Sequence, residues 1–401
     1  MFDFSPTPEQ QAVVEKVRRL MDELVYPNEK YVVPHHGLPP EVIKPLQRRV
    51  REAGLWAPHM PRAAGGLGMG YVTLGLINEI LGRSAIAPRI FNTNAPDTGN
   101  AELLWVAGTE EQKARFLKPL MEAEVRSCFA MTEPELSGSD PTALGTTAVL
   151  DGDEWVINGH KWFATGAHGA AFAIVMAVTD PDAPPHARAS MILVDAGTPG
   201  FNLVRDVPVM GDLSEGGHGE FMITNCRVPR ENLLGKRGEG FKLAQLRLGP
   251  GRITHCMRWL GQAGRAFDLM VARALQRETR GKRLAEFGSI QNFVADSVVE
   301  MEAARLMTLK AAWKMDQGDE AREEIALIKF FGAKVMIDVI DRAIQVYGGM
   351  GISADTPLEA MWREARAARI YDGPDEVHKY VVARRVFKSY GAALRARAQA
   401  D

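Results

Sequence analysis

The chain has 401 residues, 46% apolar and 24% charged, enough to bury a large core across two or three structural units. Its 48 Lys and Arg nearly balance 50 Asp and Glu, so the basic excess of a nucleic-acid-binding protein is absent. Cys128, Cys226 and Cys256 form no C-x-x-C pair and the nine histidines never fall at H-x-x-x-H spacing. Neither a disulfide framework nor a metal site is expected.

The N-terminal ten residues lack a basic stretch followed by an apolar core, so no secretory signal is read there. The longest apolar run, Ala170–Val178, is about half of what a membrane helix needs, and membrane insertion is not expected. The cytoplasm is the expected location. Thr7-Pro-Glu-Gln10 is a capping box, followed by Val13, Val14, Val17, Leu20, Met21 and Leu24 at helical spacing. Helical patterns resume at Val72–Leu81 and at Glu110–Glu122, with Thr109 as N-cap. From about Val125 the texture turns to β-branched, alternating runs: Thr146–Leu150, Trp155–Asn158, Ala173–Val178, Met191–Val194 and Glu220–Thr224. Pro181–His186 reads as an exposed loop. After Gly235 the helical period returns over Arg252–Gln276, Phe287–Met315, Glu323–Tyr347 and Pro374–Ser389. The expectation is an α+β protein with an N-terminal helical domain (1–126), a middle β domain (127–234) and a C-terminal helical domain (235–401).

Six segments carry chemistry. Phe129-Ala-Met-Thr-Glu-Pro-Glu-Leu-Ser-Gly-Ser-Asp140 reads as a strand running into a small-residue loop, able to offer main-chain N–H groups and a hydroxyl to a ligand. Trp155-Val-Ile-Asn-Gly-His-Lys-Trp-Phe-Ala-Thr165 reads as a strand, a tight Asn-Gly turn and a returning strand. Arg247-Leu-Gly-Pro-Gly-Arg-Ile-Thr-His-Cys-Met-Arg258 opens a long helix. Gln276-Arg-Glu-Thr-Arg-Gly-Lys-Arg-Leu284, Gln345-Val-Tyr-Gly-Gly-Met-Gly351 and Arg369-Ile-Tyr-Asp-Gly-Pro-Asp-Glu-Val-His378 follow. Each is weak alone.

In this order, over nearly the whole chain, they resemble the acyl-CoA dehydrogenase family, nearest the branch of family members 10 and 11. The kinase-like segment that larger members carry upstream is not in this sequence. The resemblance implies a middle β-barrel-like domain and a C-terminal four-helix bundle. It also implies FAD as cofactor, bound by Phe129, Met131, Thr132, Gly138, Ser139, Phe163 and Thr165. Phe163 would be the aromatic packed on the flavin and Thr165 the hydroxyl near its reactive nitrogen. Arg277, Gln345, Gly348, Gly349 and Glu376 would complete the cofactor site, the first four on FAD held by another subunit of a homodimer or homotetramer. Asp372 stands where most members carry the catalytic glutamate, with its main-chain N–H on the thioester carbonyl, and Arg252 matches an arginine near that base. Leu248–Arg252, where some branches place the base, contains no carboxylate.

The activity implied is α,β-dehydrogenation of an acyl-CoA, with electrons passed to an electron-transfer flavoprotein. Two alternatives stand beside it: elimination from a modified hydroxyacyl-CoA on the same scaffold, and a non-catalytic acyl-CoA-binding protein. His255, Cys256 and Arg258 are read as packing residues. Arg280 replaces the family's usual phenylalanine, and with Lys282 and Arg283 it is read as a solvated basic face.

Overall fold

A computed structural model describes residues 5–210 and 215–398; the first four residues of the N-terminal reading lie outside it. In chain order the helices are α1 (Pro8–Leu20), α2 (Pro40–Glu52), α3 (Gly70–Leu81), α4 (Ala87–Ile90), α5 (Asp97–Ala107), α6 (Glu110–Gln112) and α7 (Lys118–Met121). Strands β1 (Arg126–Ala130), β2 (Thr147–Asp151), β3 (Glu154–Thr165), β4 (Ala170–Val178), β5 (Ala189–Asp195), β6 (Phe201–Asp206), β7 (His218–Pro229) and β8 (Leu233–Leu234) follow. Then come α8 (Gly240–Gln276), the two-residue strands β9 (Glu278–Thr279) and β10 (Lys282–Arg283), α9 (Gly288–Asp316), α10 (Arg322–Tyr347), α11 (Leu358–Ala367) and α12 (Asp375–Ala398). The predicted capping box at Thr7 forms, and the predicted N-cap Thr109 proves to be one as well. Gln10 N–H donates to Thr7 Oγ1 and Thr7 N–H to Gln10 Oε1 at 3.2 and 2.9 Å, and Thr109 and Gln112 repeat the pattern.

The chain divides into two compact units. One comprises residues up to 19, residues 69–85 and residues from 252 onward; the other comprises 20–68 and 86–251. In the first unit α10 is the central helix, packed against α9, α11 and α12. It buries Ile325, Ile328, Val335, Met336, Val339 and Ile340, against Ile253, Met257, Trp259 and Leu260 of α8. Alanines at 263, 266, 304, 311, 312 and 333 line the same core, small enough to let helices approach closely. Asp316, at the end of α9, accepts the Tyr71 and Val72 N–H groups at 2.6 and 3.0 Å and so satisfies the start of α3.

The second unit is built on an eight-stranded sheet of order β6-β7-β3-β2-β4-β5-β8, with β1 paired parallel to β4. β4 is buried from Phe172 to Ala177 because the run is apolar on both faces.

Two expectations change. The Asn158-Gly159 pair makes no turn: β3 runs unbroken through it, and the hairpin to β2 closes at Gly152, φ +62°. Gly159 is needed for clearance instead, since a Cβ there would lie 2.2 Å from Thr146 Oγ1. The long helix also begins at Gly240 rather than Arg252, continuing through Gly249-Pro250-Gly251. Among the described residues no helix is long and apolar enough to cross a membrane.

Candidate active site

In the sheet-containing unit, β1 is set by a buried polar knot. Asp97 Oδ1 accepts from Ser127 N–H and Oγ at 2.9 and 2.7 Å, and the Asn100 amide donates to Ser127 Oγ and Cys128 O. The strand therefore delivers Phe129 and Met131 at a defined place. The second motif is stitched to it. Trp162 N–H donates to Thr132 O at 3.0 Å, and Lys161, wholly buried, donates to Met131 O (2.8 Å) and Glu133 Oε1 (2.7 Å). Glu133 also accepts the Gly145 and Thr146 N–H groups, at 2.6 and 2.9 Å. Burial pulls Lys161 down to about 8, while that lysine and these donors hold Glu133 below the usual carboxylate range. The pair is charged at neutral pH.

This lacing brings Phe129, Met131, Thr132, Phe163 and Thr165 into one neighbourhood, and Lys161 and Glu133 are the buried pair that ties the two segments together, which motif matching alone passed over. Gly138 and Ser139 sit in the turn closed by Asp140 N–H to Ser137 O, where a Cβ on Gly138 would lie 3.3 Å from the Thr132 methyl. Phe163 adopts φ +51°, unusual for a bulky residue, and remains 42% exposed beside the buried Ala164. Beside it the buried Trp162 Nε1–H has no hydrogen-bond acceptor among the described residues. A bare aromatic face held at strained geometry, next to an unsatisfied donor and a small-residue turn, fits a flat polar-rimmed ring. Thr165 Oγ1 lies 3.0 Å from His218 Nδ1, a contact not anticipated.

In the helical unit, Asp372 lies in the turn between α11 and α12 with φ +55°, and Gly373 follows at φ +97°. The loop is pinned by its carbonyls. Arg252 Nε and His378 Nε2 approach Asp372 O at 3.0 and 3.2 Å, and Lys329 Nζ donates to Ala368 O (2.7 Å) and Gly373 O (3.1 Å). Gly373 suits a φ of +97° that side-chain-bearing residues rarely adopt, and a Cβ there would also meet His378 Nε2 at 2.8 Å. A carbonyl can only accept, so Nε2 of His378 carries the proton. Burial and the Arg252 charge push His378 down to about 4, so it is a neutral donor at physiological pH.

The sign of the resulting pH dependence follows directly. Unfolded His378 protonates near 6.5 and folded His378 near 4, so its contribution is intact above pH 6.5 and lost as pH falls toward 4. We expect His378→Asn, whose amide cannot titrate, to show a flatter melting temperature between pH 6.5 and 4.5 than the parent. Parallel curves for the two proteins would refute this.

The carboxylate of Asp372 stands 3.4 Å from His255 Nε2. His255, read from sequence as packing, therefore belongs to this site, and the signal was its position three residues after Arg252 on the same helical face. Its ring stacks on Trp259 (centroids 6.2 Å apart) and tilts against Tyr371 (5.5 Å), while Trp259 Nε1–H donates to the Tyr371 hydroxyl at 2.8 Å. Cys256 does pack: it is buried beside Ile328 O and its thiol is pushed up to about 12.

Arg277, Gln345, Gly348, Gly349 and Glu376 are all exposed. Arg277 follows α8 directly and its carbonyl accepts Leu284 N–H, closing the β9–β10 hairpin. Arg280 and Gly281 form its tip at φ +49° and +74°, so Arg280 projects from a two-residue turn rather than filling a core position.

Comparison with known proteins places the chain. Residues 7–124, 128–226 and 238–387 match the N-terminal, middle and C-terminal domains of acyl-CoA dehydrogenase. The chain is 47% identical to "Probable acyl-CoA dehydrogenase FadE2" of Mycobacterium tuberculosis, over 87% of its own length and 86% of that protein. It is 42% identical to acyl-CoA dehydrogenase family member 10 of Mus musculus and 40% to family member 11 of Homo sapiens, over 96% and 95% of its length. It spans only 37% and 50% of those two proteins. Among solved structures, butyryl-CoA dehydrogenase of Megasphaera elsdenii superposes with a TM-score of 0.83 at 29% identity, covering 96% of this chain and all of that one. The glutaryl-CoA complex of a glutaryl-coenzyme A dehydrogenase gives 0.86 at 26%, covering 97% of each chain. With helical, β-sheet and helical domains matched in the family's order, the chain belongs to the acyl-CoA dehydrogenases, FAD-dependent oxidoreductases acting on CH–CH bonds.

Proposed function

We propose that the protein oxidises the Cα–Cβ bond of an acyl-CoA thioester, with Asp372 as the base. The observation that carries this is the Asp372 turn: a carboxylate on a left-handed residue whose carbonyl is fixed by Arg252 and His378. Aspartate tolerates a left-handed backbone better than most residues, and here the surrounding contacts hold it there. Asp372 takes the α-proton onto its carboxylate, and the main-chain N–H of the same residue faces the thioester carbonyl, where negative charge develops. Bound FAD supplies the acceptor for the β-hydride. Phe129, Met131, Thr132, Gly138, Ser139, Phe163 and Thr165 would hold its ring and nearer phosphate. In this reading Arg277, Gln345, Gly348, Gly349 and Glu376 complete a site shared between subunits, so the protein is a homodimer or homotetramer, and an electron-transfer flavoprotein collects the electrons.

The test is anaerobic mixing of the purified yellow protein with acyl-CoAs of graded length and branching, while flavin absorbance near 450 nm is followed. Bleaching coupled to enoyl-CoA formation is expected with at least one member. Enoyl product without bleaching would replace oxidation by elimination, and a protein unable to hold FAD would end the reading.

A further inference from the structure

We propose that His255 is a positioning residue for Asp372, an imidazole donor that holds the carboxylate in the orientation from which it takes the α-proton. This rests on Asp372 being the base. Arg252 donates to the Asp372 carbonyl, and Lys329 to the carbonyls of Ala368 and Gly373. They fix the loop, whereas His255 Nε2 lies at ion-pair distance from Oδ2 of the carboxylate. The imidazole is itself held between Trp259 and Tyr371, so the pair is set by α8 on one side and the α11–α12 turn on the other. Both side chains are 22% exposed, buried enough for a strong interaction yet open on one side to a substrate.

The charge environment makes the pair's protonation consequential. Arg252, Cys256 and Arg258 on α8, Lys329 on α10, Glu364 on α11, Tyr371 in the turn, and Asp375 and His378 on α12 surround it. Arg258, lowered by burial to about 10, remains charged at neutral pH, and His378 remains neutral.

Single-turnover flavin reduction with the holoenzyme tests this, using whichever acyl-CoA bleaches the parent. His255→Ala is expected to lower the reduction rate constant by roughly 10- to 100-fold, with FAD content and acyl-CoA KM little changed. His255→Gln should recover most of the rate, because its terminal amide reaches the Nε2 position, and His255→Asn should not. None of the three replacements can carry charge, so in each the acidic limb of the pH–rate profile should move up. Parent-like rate and limb in all three variants would overturn the proposal, as would Gln and Asn behaving alike. Should the Ala variant not fold, the Gln and Asn pair decides. Asp372→Asn run alongside separates the two readings. Activity there sinks the base assignment itself, whereas an inactive Asp372→Asn with unaffected His255 variants sinks only the positioning role.

Discussion

Asp372→Asn is expected to fold, hold FAD and bind acyl-CoA, yet reduce its flavin on the order of 10³- to 10⁴-fold more slowly than the parent. Folding is preserved because asparagine tolerates the left-handed backbone at φ +55° as well as aspartate does, and because the contacts that secure the turn are made to main-chain carbonyls. The amide has almost the same shape but no basicity, so proton removal is lost while the turn is kept. Asp372→Glu is expected to fail differently. Its extra methylene, about 1.5 Å, carries the carboxylate past the His255 imidazole. Glutamate also lacks the short side chain that eases a left-handed residue. A loss of roughly 100-fold is expected from misplacement of that size. Stopped-flow reduction at saturating substrate measures both, and an Asn variant reducing its flavin at the parent rate removes Asp372 from the mechanism.

The second large effect is expected at Lys161. Replacing it by methionine keeps much of the volume but leaves Glu133 as a buried carboxylate without its cation, and Met131 O loses a donor. Breaking one side of a buried pair costs about 3–5 kcal/mol. For a domain-sized cooperative unit that is a drop on the order of 10 °C in melting temperature. The damage should concentrate where the flavin motifs meet, so the variant should release FAD at temperatures where the parent retains it. Lys161→Met combined with Glu133→Gln should recover part of the loss, because the second change removes the stranded charge. A Lys161→Met protein that melts with the parent and keeps its colour would show that the pair is not what holds the two motifs together.

Much of this was legible beforehand. The capping box at Thr7, the N-cap at Thr109, the apolar run of β4 and the helical periods after Gly235 are local signals, since hydrogen bonding and periodicity act over a few residues. The motif order pointed to the family, and the family match agrees. Where sequence reasoning slipped, a local signal had a second meaning. Asn158-Gly159 looks like a hairpin turn, but glycine also serves close approach, and the Thr146 that faces Gly159 is thirteen residues earlier in the chain. Gly249-Pro250-Gly251 looks like a helix start, yet α8 passes through it.

Composition, periodicity and motif order by themselves determined the class of fold, the likeness to a flavin-dependent family and the candidacy of Asp372. Each depends on residue types at short, countable spacings. Tertiary structure alone decided which side chains serve that aspartate. His255 lies 117 positions before Asp372 in the sequence, Lys329 lies 43 before it, and His378 becomes a neutral donor only once burial and Arg252 act on it. Lys161 and Glu133 likewise form a pair only when β3 returns beside the end of β1. Distance through space and desolvation set these interactions, and neither is written in the spacing of residues along the chain.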